Sequence, residues 1–320
     1  MAVYTRISEE DLAAFAAAYD IGEIVSCKGI AEGIENSNFL VRTATTPYIL
    51  TIYEKRVRPD DLPFFLGLMQ HLSQRGIACP TPIAGRDGHM FRLIAGKAAA
   101  LISFLDGLWL RRPTPGHCAS LGEAMAHMHL AGSDFRLTRP NELSLSGWRP
   151  LFEKCAARAG EVTDGLAAEL AAHLDELEAH WPPTLPKGVI HADLFPDNIF
   201  FLGGRLSGII DFYFACNDFL AYDIAVALNA WCFEADGSFN GAKATSLLSG
   251  YRAVRSLEDA ETAALPLLVR GAATRFVLTR LYDWLHQVDG ALVRPKDPME
   301  FVHRLRFHAG VAGVHAYGLT

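Results

Sequence analysis

The chain has 320 residues, half of them apolar, and its 29 Lys and Arg against 36 Asp and Glu give a formal net charge of −7. This length and apolar content suffice for two lobes with their own cores, and the mild acidity argues against nucleic acid as a partner. The first residues carry no apolar signal core, and no uninterrupted apolar run reaches the roughly 18 residues that span a bilayer. The six cysteines show no paired spacing, so we expect buried thiols in a cytoplasmic protein without a membrane partner.

The first hundred residues predict a small lobe built on an antiparallel sheet. Ser8 followed by acidic residues is typical of a helix N-terminus, and a helix of about a dozen residues is expected there. Runs of β-branched and aromatic residues predict strands at 24–29, 39–43 and 48–53. A helical pattern from Leu62 ends at Gly76, and two more strands are predicted near 90–94 and 97–104.

The remainder of the chain predicts a larger and mostly helical lobe. Leu121, Met125 and Met128 share one face of a helix, which indicates core packing rather than a ligand box. His127 and His129 lie two residues apart and point away from each other on a helix, which disfavours a metal pair. Later helices are predicted at 156–179, 223–231, 242–254, 260–287 and 298–308.

A hairpin is predicted in the middle of this lobe. The apolar run 189–191 enters a loop, and a strand at 198–202 ends at Gly203-Gly204 before a second strand at 206–212. Asp193 and Asn198 are then in the loop before the hairpin, and Asp211 is at its far end. We therefore expect the three polar side chains to meet at one rim of a small sheet.

These residues form the pattern H-x-D-x-x-x-x-N, from His191 to Asn198, and Asp211 follows thirteen residues later. Each residue alone is most simply a turn or a cap, but the joint pattern has the order and spacing of kinase-like catalytic loops. It predicts phosphoryl transfer, in which Asp193 accepts a hydroxyl proton while Asn198 and Asp211 hold Mg²⁺ on ATP. His191, the second candidate catalytic residue, is better suited to bracing the loop through a hydrogen bond than to chemistry.

Together with segments 33–39, 48–54, 62–65 and 211–216, this motif resembles the aminoglycoside phosphotransferase and choline kinase superfamily, and within it the bacterial homoserine kinases. The resemblance spans nearly the whole chain. It implies an α+β, two-lobed, protein-kinase-like fold, with a nucleotide-binding lobe at 1–104 and a catalytic and substrate-binding lobe at 105–320. It also implies ATP, Mg²⁺ and a small-molecule substrate, L-homoserine, whose side-chain hydroxyl is phosphorylated to O-phospho-L-homoserine for threonine biosynthesis.

The resemblance also implies a set of nucleotide contacts in the smaller lobe. The candidate cofactor-binding residues are Gly33, Asn36, Ser37, Asn38, Thr51, Ser103 and Phe104. Most relatives carry a lysine on the third strand that pairs with a glutamate on the next helix, but Thr51 stands at that position and segment 63–74 has no acidic residue. Arg42 or Lys55 is a candidate for supplying the missing charge to the phosphates.

Homoserine carries an ammonium group, a carboxylate and a hydroxyl, so its site needs an acidic group and a cationic or N–H-rich group near Asp193. The candidates are Tyr213, Asn217, Asp218, Tyr222, Asp223, Arg275, Arg280 and Asp283. Each of them also has a sound explanation as a cap, a turn or a surface ion pair. Arg304 and Arg306 are further candidates, for which a solvated face of the last helix is the alternative explanation.

Two alternatives remain open on the sequence alone. The same fold could phosphorylate choline, methylthioribose or an aminoglycoside, since segment 211–223 supplies both aromatic and acidic residues. A non-catalytic nucleotide-binding module is the other alternative. Thr51 in place of lysine favours it, whereas the presence of Asp193, Asn198 and Asp211 together argues against it.

Overall fold

A computed structural model describes residues 5–30, 36–54, 57–287 and 295–319. The chain forms two compact units. The first unit comprises Met1–Gly107 and Ser207–Tyr213, and the second unit comprises Leu108–Leu206 and Phe214–Thr320. In the described ranges, no helix has both the length and the apolar character needed to cross a membrane. All six cysteines are free thiols, and all but the half-buried Cys27 are buried.

The first unit is built on a five-stranded antiparallel sheet of order β1-β2-β3-β5-β4. Its strands are β1 (Ile24–Gly29), β2 (Ser37–Thr43), β3 (Pro47–Ile52), β4 (Arg92–Ile94) and β5 (Lys97–Ser103). Its helices are α1 (Glu9–Ala16) and α2 (Leu62–Gln74). The register places Thr51 opposite Asn38 on one side and Ala100 on the other. The predicted antiparallel sheet of the smaller lobe is confirmed.

Helix α1 is shorter than predicted and spans eight residues. The Ser8 side chain caps it by accepting a hydrogen bond from the N–H of Asp11. It ends at Ala16 because the next residues tighten into i to i−3 bonds, from Ala18 to Phe15 and from Tyr19 to Ala16. This turn lets Tyr19 join Phe15 in the core against the sheet.

The second unit is mostly helical, as predicted. Its helices are α3 (Pro115–Ala131), α4 (Leu145–Glu153), α5 (Leu166–His180), α6 (Leu220–Trp231), α7 (Gly241–Val254), α8 (Asp259–Leu285) and α9 (Met299–Ala309). The predicted helix at 156–179 is wrong in its first part. A 3₁₀ segment, Ala156–Glu161, comes first, and Gly165 with a φ of 78° separates it from α5. Helix α4 was not predicted, because it contains Gly147 and Pro150.

Two small sheets lie around the predicted hairpin. The first pairs β6 (Lys187–Ile190) antiparallel with β9 (Cys216–Phe219), and the second contains β7 (Ile199–Leu202) and β8 (Arg205–Ile209). The turn between β7 and β8 uses Gly203 and Gly204, both at positive φ. Strand β8 ends earlier than predicted because Asp211 has a φ of 65° and 3₁₀ segment Phe212–Phe214 follows. Strand β9 was not predicted.

Helices α3 and α7 approach each other through glycines on both sides. A Cβ atom added at Gly122 would clash with the carbonyl oxygen of Leu247, and one added at Gly250 would clash with that of Ala119. The two backbones therefore pack closer than any larger side chain permits. This contact fixes α7, which carries Tyr251, beside α3, which carries His129.

We expect Gly250→Ala to lower the free energy of unfolding by about 1–3 kcal/mol, because the added methyl group meets backbone that has no rotamer to change. Gly160→Ala is the matched control, since no atom lies within 4 Å of a Cβ added there. The control is expected to leave stability unchanged or to raise it by less than about 1 kcal/mol. Urea denaturation of both variants measures the difference, and equal midpoints would contradict the close helix contact.

Candidate active site

The segment from His191 to Asn198, here called the 191–198 loop, follows β6 and ends in the 3₁₀ turn Pro196–Asn198 before β7. His191 is fully buried. Its backbone N–H donates to Oδ2 of Asp223 at 2.9 Å, and its ring Nδ1 lies 3.3 Å from the backbone N of Asp193 as an acceptor. The imidazole is therefore placed to orient the backbone of Asp193 from within the loop.

Asn198 is in direct contact with Asp193. Its Nδ2 donates to the backbone oxygen of Asp193 at 2.8 Å and to carboxylate Oδ2 at 3.2 Å. These two bonds fix the orientation of the amide group. Its Oδ1 atom accepts no hydrogen bond from a described residue. Asp193 is half-buried. The structure thus brings together three of the predicted site residues, His191, Asp193 and Asn198, in one loop of the second unit.

The loop is held in a strained conformation at Ala192, whose φ is 62°. A left-handed residue other than glycine costs about 1–2 kcal/mol. The N–H of Ala192 donates to Oδ1 of Asp223 at 2.8 Å, and its carbonyl oxygen accepts from the guanidinium of Arg275. Nearby, Nε1 of Trp231 donates to the carbonyl oxygen of Leu194 at 2.8 Å. Side chains from α6 and α8 therefore fix the backbone on both sides of Asp193.

Asp223 is the centre of this support. Its carboxylate is fully buried and accepts from two loop N–H groups and from Nε2 of His129, 3.0 Å away. Nδ1 of His129 lies 2.8 Å from the hydroxyl of Tyr251. Burial by itself raises the pKa of Asp223, but the hydrogen bonds and charges of His129 and His191 outweigh it and hold this pKa below its usual value.

This position corrects the expectation that Asp223 could meet the substrate ammonium group, because its carboxylate is enclosed and already fully hydrogen-bonded. Three supporting residues, His129, Trp231 and Tyr251, were not predicted at all. The available signal was one acidic residue inside the mostly apolar segment 220–231, which indicates a buried carboxylate that needs partners.

Most other substrate candidates are engaged in contacts within the second unit. Oδ1 of Asn217 accepts from the N–H of Arg139, and Oδ2 of Asp218 accepts from Nδ2 of Asn141, both at 2.8 Å. Arg280 pairs with Glu300 at 2.6 Å. Asp283 is half-buried, Tyr222 and Arg275 are buried, and Tyr213 belongs to the first unit.

The interpretation of the last helix as a solvated face is wrong for Arg304. Its side chain is only 11% exposed, and Nη1 donates to the carbonyl oxygen of Asn229 at 2.7 Å. Arg306 is more exposed and pairs with Glu169 at 2.7 Å. The aliphatic stem of an arginine can cover apolar surface, which a pattern based on charge does not reveal.

Asp211 lies in the first unit, just after β8, beside a group of hydroxyl side chains. The hydroxyls of Tyr53 and Tyr213 are 3.1 Å apart, and Oγ1 of Thr51 donates to Oδ1 of Asn38 at 2.8 Å. Burial, together with the nearby negative charge of Asp211, raises the pKa of Tyr213 to about 12, although hydrogen bonds with Tyr53 and Thr51 oppose the rise. The position of the expected lysine is thus occupied by a small neutral side chain that is hydrogen-bonded within the sheet.

The side chains predicted to contact phosphates form a network at the ends of β2 and β3. Ser37 is fully buried, donates to Oε1 of Glu54 at 2.7 Å and accepts from the N–H of Thr5. Oδ1 of Asn36 accepts from the N–H of Glu54 at 3.3 Å, and Glu54 also pairs with Lys97. Hydrogen bonds from Lys97, Ser37 and Thr5 outweigh burial and hold the pKa of Glu54 below its usual value.

The remaining nucleotide candidates lie elsewhere in the first unit. Oγ of Ser103 accepts from the N–H of Thr81 at 2.9 Å, whereas the ring of Phe104 is 38% exposed. Arg42 is exposed on β2 opposite Ser26. Gly33 and Lys55 lie outside the described residues.

Comparison with known proteins identifies the family. The model of the phosphotransferase enzyme family matches residues 26–257. This chain belongs to that family. Its relatives include homoserine kinases of Paramagnetospirillum magneticum and Rhodospirillum rubrum, each 62% identical, with all of this chain and all of the relative covered. Membership of the phosphotransferase family makes the protein an ATP-using kinase, as the motif predicted.

Solved structures of several small-molecule kinases share the fold. Amicoumacin kinase hAmiN matches with a TM-score of 0.70 at 18% identity, over 94% of this chain and 93% of that one. A microcompartment-associated aminopropanol kinase matches with a TM-score of 0.68 at 20% identity, over 94% and 95%. Choline kinase of Cryptosporidium parvum gives 0.67 at 16% identity, over 94% of each chain. The predicted protein-kinase-like α+β fold is confirmed.

We expect Asp223→Asn to lower the free energy of unfolding by about 3 kcal/mol, because a buried acceptor of three hydrogen bonds loses its charge and one acceptor oxygen. The 191–198 loop should loosen, and kcat should fall at least about tenfold. Asp175→Asn is the control. Its side chain is 71% exposed, and we expect a change within about 0.5 kcal/mol.

The pH dependence of this loss gives an independent check. The pKa of Asp223 is lower in the folded state than in the unfolded state. The contribution of its ionised carboxylate to the free energy of unfolding is therefore complete above the unfolded-state pKa and is lost as the pH falls toward the folded-state pKa. The stability gap between wild type and Asp223→Asn should stay constant above about pH 5 and narrow below about pH 4. A gap that widens in acid would contradict an ionised, buried carboxylate.

Proposed function

We propose that the protein transfers the γ-phosphoryl group of ATP to the side-chain hydroxyl of L-homoserine, giving O-phospho-L-homoserine. The observation that carries this proposal is the 62% identity, over the full length of both chains, with proteins that are homoserine kinases. The phosphotransferase family and the fixed geometry of the 191–198 loop support the same reaction type.

In the proposed mechanism, Asp193 positions the acceptor hydroxyl and takes its proton as the oxygen attacks phosphorus. The Nδ2 group of Asn198 holds Oδ2 of Asp193, and His191 orients the backbone at the same residue. The carboxylate is thus held in place before the substrate arrives. Because phosphoryl transfer depends mainly on alignment, this rigidity is the main contribution of the loop to catalysis.

Asn198 and Asp211 are the proposed ligands of Mg²⁺. Carboxylate and amide oxygens suit this hard cation, and Oδ1 of Asn198 is left for it because Nδ2 makes the hydrogen bonds to Asp193. Within the described ranges, no group of three or more His, Cys, Asp or Glu side chains could hold a metal. Two protein oxygens are sufficient for Mg²⁺ bound together with nucleotide phosphates, whose charge it neutralises.

The nucleotide is proposed to bind to the first unit, through Gly33, Thr51, Ser103 and Phe104. The side chains of Asn36, Ser37 and Asn38 are hydrogen-bonded to β3 and its extension, so they fix the start of β2. Their contribution to phosphate binding is then to orient backbone N–H groups. The partly exposed ring of Phe104 offers an apolar surface for the base.

A coupled assay of ADP release with L-homoserine, choline and kanamycin side by side tests the proposed substrate. We expect turnover with L-homoserine at least about a hundredfold above that with the other two, since a site built for polar groups rejects ligands that leave them unpaired. Omission of Mg²⁺ should abolish turnover. Equal or higher turnover with choline or kanamycin would contradict the proposal.

Asp193→Asn tests the proposed role of the carboxylate. It keeps the shape of the side chain but removes the proton acceptor, so kcat should fall by about 10²–10⁴-fold while ATP affinity stays within about tenfold. Asp197→Asn, in the same loop, is the matched control. Its carboxylate is exposed and lies 3.8 Å from Nζ of Lys296, a weak surface pair, so kcat should remain within about twofold. If both variants turned over like wild type, Asp193 would not have the proposed role.

A further inference from the structure

Arg275 is unusual among the helix arginines of the second unit. It is only 2% exposed, yet in the described part of the chain its guanidinium pairs with no carboxylate. The other buried or half-buried arginines of this region each have an acidic partner. The pairs are Arg139 with Glu142, Arg149 with Glu178, Arg255 with Glu261, Arg270 with Glu176, and both Arg280 and Arg304 with Glu300.

The surroundings of Arg275 leave buried polar atoms unsatisfied. One Nη1 hydrogen bond goes to the carbonyl oxygen of Ala192, but Nε is buried with no hydrogen-bond partner among the described residues. The buried hydroxyl of Tyr222, which lies beside the guanidinium, also lacks a hydrogen bond of normal geometry there. The guanidinium lies 4.6 Å from the ring centroid of Phe276 and 5.5 Å from that of Phe214. These ring contacts offset only about 0.5–2 kcal/mol of the several kcal/mol that a buried cation costs when no anion compensates it.

The location limits which anion this is. The guanidinium contacts Ala192, the residue directly before Asp193, so the unpaired charge lies beside the proposed proton acceptor. In L-homoserine, the carboxylate carbon is about 5 Å from the side-chain hydroxyl oxygen when the chain is extended. A substrate that places its hydroxyl at Asp193 therefore has its carboxylate within reach of this region.

We propose that Arg275 binds the α-carboxylate of the acceptor, with the Tyr222 hydroxyl as a second donor, and that this pair makes the enzyme selective for amino-acid alcohols. This inference rests on the proposed function and adds the residues that read the substrate. A planar guanidinium donates through a fixed fork that matches a carboxylate, and Nε belongs to that fork. Tyr222 and Arg275 come from α6 and α8, the same helices that fix the 191–198 loop.

A different role for Arg275 would be to hold the left-handed Ala192 through its carbonyl oxygen and nothing more. The two roles differ in what a variant does to different substrates. A residue that only positions the loop affects every acceptor alcohol equally and acts mainly on kcat. A residue that binds the carboxylate affects only acceptors that have one, and it acts mainly on KM.

Steady-state kinetics at saturating ATP with L-homoserine and 3-aminopropan-1-ol separates these roles. The second compound keeps the hydroxyl and ammonium groups but lacks the carboxylate. In Arg275→Met, we expect kcat/KM for L-homoserine to fall about 10–100-fold, the loss typical of a charge-assisted hydrogen bond. We expect kcat/KM for 3-aminopropan-1-ol to fall at least about tenfold less than that for L-homoserine, since both acceptors lose the Ala192 contact but only L-homoserine loses the carboxylate contact. Arg275→Lys, which keeps the charge but loses the fork, should give an intermediate loss for L-homoserine.

A binding measurement covers the case in which 3-aminopropan-1-ol is turned over too slowly to measure. L-2-aminobutyrate has the carboxylate and ammonium groups but no hydroxyl, so it binds without reacting. Its inhibition constant against L-homoserine should rise in Arg275→Met, whereas that of 1-aminopropane should not. Arg270→Met is the control, because Arg270 lies on the same helix and already pairs with Glu176 at 2.7 Å. The control should change neither substrate preference nor either inhibition constant.

The outcomes distinguish this inference from the proposed function. No turnover of L-homoserine by wild type would overturn the proposed function. Normal wild-type turnover, with both acceptors or both inhibitors affected equally in Arg275→Met, would overturn only the carboxylate role. Thermal unfolding of each variant identifies a folding defect. If Arg275→Met is poorly folded, the two acceptors are compared in Arg275→Lys, in which we also expect a reduced preference for L-homoserine.

Discussion

The buried carboxylate of Asp223 is the interaction on which the candidate active site depends. It accepts hydrogen bonds from the N–H groups of His191 and Ala192, the two residues before Asp193. Helix α6, which carries Asp223, therefore fixes the position of the proposed proton acceptor. Removing one partner of such a buried pair costs about 3–5 kcal/mol, which exceeds the strain of about 1–2 kcal/mol at a left-handed alanine. The anchor is therefore strong enough to hold the loop in a conformation that the chain alone disfavours.

The anchor itself needs support, because a charge buried without partners is unstable. His129 on α3 supplies a donor to Asp223, and Tyr251 on α7 contacts the other ring nitrogen. The glycine contact between α3 and α7 brings these two side chains to the same place. Packing far from the loop thus determines its geometry through a chain of hydrogen bonds. Close packing between rigid helices gives this chain little freedom to adjust.

Much of the architecture was predictable from local patterns. The antiparallel sheet, α2 and the later helices follow from hydrophobic spacing, and the 191–198 loop follows from the order of His191, Asp193 and Asn198. The supporting contacts were not predictable, because spacing shows which residues share a face but not what that face meets. Asp223 illustrates the difference. Its position near the motif suggested a substrate contact, whereas its burial inside an apolar helix gives it the loop as its partner.

The comparison of Arg275 with Arg280 shows how the same physical argument distinguishes an arginine that binds substrate from one that only stabilises the fold. Arg280 lies about one and a half turns later on α8 and is also buried. Glu300 and the carbonyl oxygen of Asp297 accept hydrogen bonds from its guanidinium, so the cost of burying this charge is compensated within the protein. Arg275 has one carbonyl partner and a buried Nε left over, and the adjacent Tyr222 hydroxyl is equally unsatisfied. A protein retains such uncompensated groups at a cost in stability. Because these unsatisfied groups lie beside the proposed proton acceptor, we infer that the ligand compensates them. A bound carboxylate accepts hydrogen bonds from both donors at once.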